Sequence, residues 1–161
     1  TNPYALGNAW FVNETIFVNN ANQEIEALRN IQPATTAVID QRFKNELKNL
    51  SKQPDSSASI KLIQYYPNKL VYSARTNSPQ LTVFSEVYYD KGWNAYINNQ
   101  LVPHFRVNYI LRAMIIPAGK HTIEFRFEPT SVEVGSMISL SGSILITLLL
   151  LTGVFFLYKK Q

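Results

Sequence analysis

Cysteine is absent from the 161 residues. That excludes a disulfide framework, a thiolate metal site and a thiol nucleophile. Histidine is scarce as well: His104 and His121 are too few for a metal cluster unless carboxylates join them, so neither metal nor cofactor is expected. The same two residues lie 17 positions apart, and no serine sits in the glycine-flanked setting of a nucleophile elbow. Asp40, Asp55 and Asp90 are isolated, without the Asp-x-Asp pair of a nucleotide-sugar metal site. No catalytic residue is therefore expected in this chain.

An excess of charge is missing too. Lys and Arg number 15 against 11 Asp and Glu, and Lys159 and Lys160 stand at the extreme C-terminus, which leaves 13 positives for the rest. Without a clustered basic face, nucleic-acid binding is excluded. The chain shows no internal repeat and has the length for one folded domain plus an appendage. It starts at Thr1 with no basic segment leading into an apolar one, and reads as a segment of something longer.

What the chain has in plenty is apolar sequence near its end, "SGSILITLLLLTGVFFLYKKQ". Met137 to Tyr158 holds 22 residues without a charge; as a helix this covers roughly 33 Å, the thickness of a hydrocarbon core. It has no polar face, and a domain of this size is too small to enclose such a helix on all sides. The expected division is a domain over 1–134 and a transmembrane helix with a short tail over 135–161. Tyr158, Lys159 and Lys160 form an interfacial anchor with cytoplasmic positives, which places 1–134 outside the cytoplasm. Gly135, Ser139, Ser143 and Thr147 recur every four residues. This ridge is either a packing face for further membrane helices or ordinary tolerance of small hydroxyl residues in a membrane helix.

Two-residue alternation dominates the second half of the domain. "HTIEFRFEP" sets Ile123, Phe125 and Phe127 against Thr122, Glu124 and Arg126. "QLTVFSEVYY" is apolar on both sides, as a central strand is. Turns are expected at Pro67 and Asn68, at Asn98 and Asn99, and at Gly119. The first third predicts a short helix around "NNANQEIEALRNI", capped by Asn20 or Asn22, a strand at "TAVID" and a second helical piece at "QRFKNELKNL". The fold expected is mainly β, an antiparallel β-sandwich with short N-terminal helices, followed by one transmembrane α-helix.

The candidate ligand segment is "GWNAYINNQLVPHFRVNYILRA". Trp93 and Tyr96 can stack on sugar faces, while His104, Arg106, Asn108 and Arg112 can hydrogen-bond or meet phosphate. Against this, Trp93 can equally anchor the sandwich core. Arg112 alternates with Ile110, Met114 and Ile116 and so faces an apolar side, where an unpaired charge is costly. It either pairs with Glu86 or Asp90 or opens onto a cleft. Tyr65, Tyr66, Tyr88 and Tyr89 read as sheet residues with wet hydroxyls or as headgroup-level aromatics.

The ordered set "SEVYY", "GWNAYI", "HFRVNYILRA" and "PAGKHTIEFRFEP", with "NPYALGNAWFV" upstream and the apolar terminus, resembles the C-terminal region of YfhO-family bacterial membrane proteins. The resemblance implies a large polytopic protein similar to GT-C glycosyltransferases, which transfer a sugar from a polyprenyl-phosphate carrier to a cell-envelope acceptor. Its catalytic acid is expected in an early loop that this chain does not contain. The role implied here is an accessory ectodomain at the bacterial inner membrane, shaping the extracytoplasmic site or binding acceptor glycan. Its partners would be the lipid bilayer, upstream transmembrane helices of the same protein and polyprenyl-linked sugar or envelope glycan. The alternative is a membrane-anchored, non-enzymatic module that binds glycan, stabilises the bundle or recruits a partner.

Overall fold

The computed structural model describes residues 5–51 and 53–159. Lys160 and the Asn2–Tyr4 part of the opening motif lie outside the described residues. The chain divides into two units between Phe127 and Glu128.

The first unit is built on two antiparallel sheets. One contains β1 (Ala9–Val12), β6 (Gln80–Val87), β10 (Leu111–Ile116) and β9 (Phe105–Val107) in the order β1-β6-β10-β9. The other contains β4 (Ser59–Tyr66), β5 (Lys69–Thr76), β11 (Gly119–Phe127), β7 (Trp93–Ile97) and β8 (Gln100–Val102), ordered β4-β5-β11-β7-β8. Their facing sides form one core of Leu70, Tyr72, Phe84, Met114, Ile116, Ile123 and Phe125. Tyr72, Phe84 and Phe125 meet edge to face at its centre, with ring centroids 4.9 to 6.2 Å apart. Such contacts add about 0.5–1.5 kcal/mol each to what burial contributes.

Alternation places these residues: Ile123 and Phe125 are fully buried, while Thr122, Glu124 and Arg126 reach outward. The central strand β6 is buried on both faces, Phe84 entering the first core while Leu81 and Val83 enter a second. The turns fall where turn chemistry allows. Asn98 and Asn99 take φ of 50° and 67°, and Gly119 takes 126°.

The N-terminal segment is more than a helical preface. β2 (Glu14–Val18) and β3 (Thr36–Asp40) pair in parallel, joined by helix α1 (Ala21–Leu28), so it forms a βαβ unit. Asn20 caps α1, its side chain accepting from the Gln23 amide at 3.0 Å, while the Gln23 side chain accepts from the Asn19 amide. β3 is buried throughout, with Ala37 and Ile39 packing against Leu81, Val83, Phe105, Val107 and Ala113. The four-stranded sheet is thus covered on both faces. A 3-10 segment, Gln41–Leu47, follows β3 and starts on the Asp40 side chain.

The second unit is one helix, α2 (Thr130–Lys159), long and apolar enough to cross a membrane. Its apolar side chains are exposed, as expected of a surface that faces lipid.

Candidate functional site

The structure separates the six candidate ligand residues into distinct environments. Trp93 is half-buried and packs against the first core, its ring 5.4 Å from that of Phe127 and the Arg112 guanidinium 4.7 Å above it. Tyr96 lies under the Arg126 guanidinium at 4.3 Å. His104 stands between the rings of Tyr88 at 5.4 Å and Phe125 at 5.8 Å, with Nε2 unbonded. Burial, helped by the neighbouring Arg112 charge, pushes the His104 imidazole down to about 4. The ring is neutral at physiological pH.

Arg112 is 2% exposed. Its Nη2 donates to the Val87 carbonyl at 2.9 Å, while Nε and Nη1 have no hydrogen-bond partner among the described residues. Two aromatic faces, Trp93 and Phe125, each lie 4.7 Å from the guanidinium. The expected ion pair with Glu86 or Asp90 does not form: among the described residues no carboxylate lies within ion-pair distance of Arg112. Desolvation lowers its pKa, and the more distant Glu86 only partly offsets that. Two ring faces and a carbonyl replace the carboxylate, which keeps the charge without placing a second ion in the core.

Arg106 and Asn108 serve the fold. Arg106 Nη2 donates to the fully buried Glu24 carboxylate at 2.8 Å, and Glu24 also accepts from the Tyr109 amide at 2.8 Å. Asn108 and Tyr109 form a left-handed turn, φ 50° and 70°, between β9 and β10. There Asn108 exchanges two bonds with β3: its amide donates to the Val38 carbonyl and its side-chain oxygen accepts from the Val38 amide, both at 2.8 Å. The "HFRVNYILRA" motif thereby fastens the βαβ unit to the sandwich.

Beside this fastening lies a groove of about 510 Å³, lined by Arg42, Phe43, Val87, Tyr88, Asp90, Arg106, Tyr109 and Ile110. Asp40 organises its basic wall, reaching Arg42 Nε at 3.1 Å and Arg106 Nη2 at 3.9 Å. Phe43 meets Tyr88 edge-on with centroids 6.2 Å apart, and the Arg106 guanidinium lies 5.6 Å over the Tyr109 ring. Burial, then the Asp90 charge, raises the Tyr88 phenol, which stays a hydrogen-bond donor. Aromatic faces beside arginines and a carboxylate form a surface on which a polar ring compound can stack and hydrogen-bond.

Of the residues singled out from sequence for ligand contact, Arg106 alone lines this groove. Arg42, Phe43 and Tyr109 carried no sequence signal beyond their type. Tyr88, read from sequence as a wet sheet residue or a headgroup-level aromatic, lines the groove. No group of three metal-ligating residues occurs among the described residues. On α2, the Ser143 and Thr147 hydroxyls donate to the carbonyls of Ser139 and Ser143 at 2.9 and 2.8 Å, so both are satisfied within the helix.

No curated protein and no solved structure matches the chain. The family model described as bacterial membrane protein YfhO matches residues 20–139. That span runs from the cap of α1 into α2 and takes in the Glu24–Arg106 pair, the Asn108 turn and the whole groove. The chain belongs to the YfhO family of bacterial membrane proteins.

Proposed function

We propose that residues 1–134 form an extracytoplasmic accessory domain of a polytopic, GT-C-like glycosyltransferase at the inner membrane. In this reading 135–161 anchor it with the C-terminus in the cytoplasm, and catalysis resides elsewhere in the protein. The groove holds envelope glycan or the sugar of a polyprenyl-linked donor. Tyr88 and Tyr109 offer ring faces, Arg42 and Asp90 bind hydroxyls or phosphate, and Arg106 fixes the wall. The single observation that carries this reading is the groove itself: two arginines set by one aspartate against two tyrosines. Trp93 and Tyr96 already carry guanidinium groups on their rings, so they support the site as packing.

The test is made in the full-length protein with Arg42→Glu and Tyr109→Asn, the second keeping a residue that tolerates positive φ. Envelope glycosylation should fall at least tenfold at unchanged membrane abundance. Wild-type glycosylation in both variants would refute the groove's role.

One observation favours a second reading, a structural or partner-recruiting module. Arg106, Asn108 and Arg112 all spend hydrogen bonds inside the fold. Under that reading deletion of 1–127 removes the protein from the membrane, and the groove variants have no effect.

A further inference from the structure

Ten large apolar or tyrosyl side chains are exposed among the described residues of the sheet unit, and six of them gather at one end. Tyr65 and Tyr66 close β4, in the strand rows that hold Leu70, Phe125, Lys69 and Arg126, and Phe127 ends β11 opposite Trp93. In the facing sheet, Val87 ends β6 opposite Leu111, Ile110 precedes it in the turn, and Tyr89 follows two residues on. Arg112 brings the two ends level: its side chain touches Trp93 and Phe125 of one sheet and the Val87 carbonyl of the other. The six are 39 to 62% exposed. Exposed apolar side chains that gather in one region, rather than scatter singly, are the kind of surface that marks a protein or membrane contact.

The occupant follows from the covalent chain. Only Glu128 and Pro129 separate Phe127 from the first residue of α2, a stretch of at most about 10 Å. The first two turns of α2 add about 10 Å before the uncharged block starts at Met137. By chain length alone, Phe127 lies within about 20 Å of Met137, where the uncharged block starts. Three of the six are tyrosines, the residue type whose ring and hydroxyl suit the lipid headgroup layer.

We propose that this rim lies on the bilayer surface, with Tyr65, Tyr66 and Tyr89 among the headgroups and Val87, Ile110 and Phe127 against the upper acyl boundary. The rim goes beyond the glycan reading and stands without it. Val87 and Ile110 line both surfaces, so the test avoids them.

The chain lacks cysteine, so Tyr66→Cys, Tyr89→Cys and, as a control at the opposite end, Lys120→Cys each carry one spin label on residues 1–161. Reconstitution in nanodiscs containing phosphatidylglycerol allows accessibility to be compared between oxygen and a water-soluble nickel chelate. Labels at 66 and 89 should favour oxygen several-fold, while the label at 120 favours the chelate. Rim labels that match the control would overturn the proposal. Shielding from both reagents, or spin coupling between copies, would also overturn it by showing that protein covers the rim.

Discussion

Glu24 and Arg106, 82 residues apart in the chain, meet at 2.8 Å with the carboxylate fully buried. The contact joins the connecting helix of the βαβ unit to a strand of the sandwich, and it sets the arginine that walls the groove.

Glu24→Gln should therefore destabilise the protein by about 2–4 kcal/mol, because it leaves a largely buried guanidinium with a neutral partner. Adding Arg106→Met to Glu24→Leu should recover a good part of that loss. Denaturant midpoints followed by tryptophan fluorescence check both; a single-variant loss below about 0.5 kcal/mol would show that the pair fastens nothing.

Arg112 gives the opposite expectation. With two nitrogens unbonded and its charge flanked by Trp93 and Phe125, replacement by Met removes a desolvation cost while filling similar volume. Arg112→Met should change stability by less than about 1.5 kcal/mol, whereas Arg112→Ala should cost about 2–4 kcal/mol through the cavity it leaves. Equal, large losses in thermal melts of both variants would mean that the charge itself holds the two sheets.

His104 makes stability depend on pH. In the unfolded chain its imidazole takes a proton near 6.5, while burial holds it down to about 4 in the fold. Between these values the unfolded state binds more protons, so the stability present above 6.5 is lost as the pH falls toward 4. The slope approaches but stays below about 1.4 kcal/mol per pH unit, because the ring is only partly buried. His104→Phe, placed between the Tyr88 and Phe125 rings, should flatten the stability profile over that window. An unchanged slope would show that His104 titrates normally.

The strands that carry the sandwich were legible because one buried side suffices to write an alternating pattern, as Ile123 and Phe125 do, and β6 announced its two buried faces in the same way. The Asn98–Asn99 turn was legible because asparagine tolerates positive φ. The parallel pairing of β2 with β3 was not. Parallel partners are joined through a crossover, and nothing local in "NETIFV" tells it from a loop followed by an edge strand. Glu24 was hidden for a related reason: a carboxylate on a short polar helix reads as solvated until its partner from β9 is brought beside it. Asn108 had the chemistry of a ligand and of a turn, and only the left-handed backbone beside Val38 decides for the turn. The groove residues come from the 3-10 segment, the end of β6 and the residues just after it, β9 and the β9–β10 turn, so their proximity is tertiary.

The central claim is that the sheet unit stands outside the cytoplasm, held by a helix that crosses the membrane. Single cysteines at the exposed Ser57 and Lys159, in a chain with none of its own, test it with a membrane-impermeant maleimide on intact spheroplasts. The account predicts that Ser57→Cys is labelled at once and Lys159→Cys only after permeabilisation. Labelling of both positions in intact spheroplasts, or of Lys159→Cys alone, would contradict it.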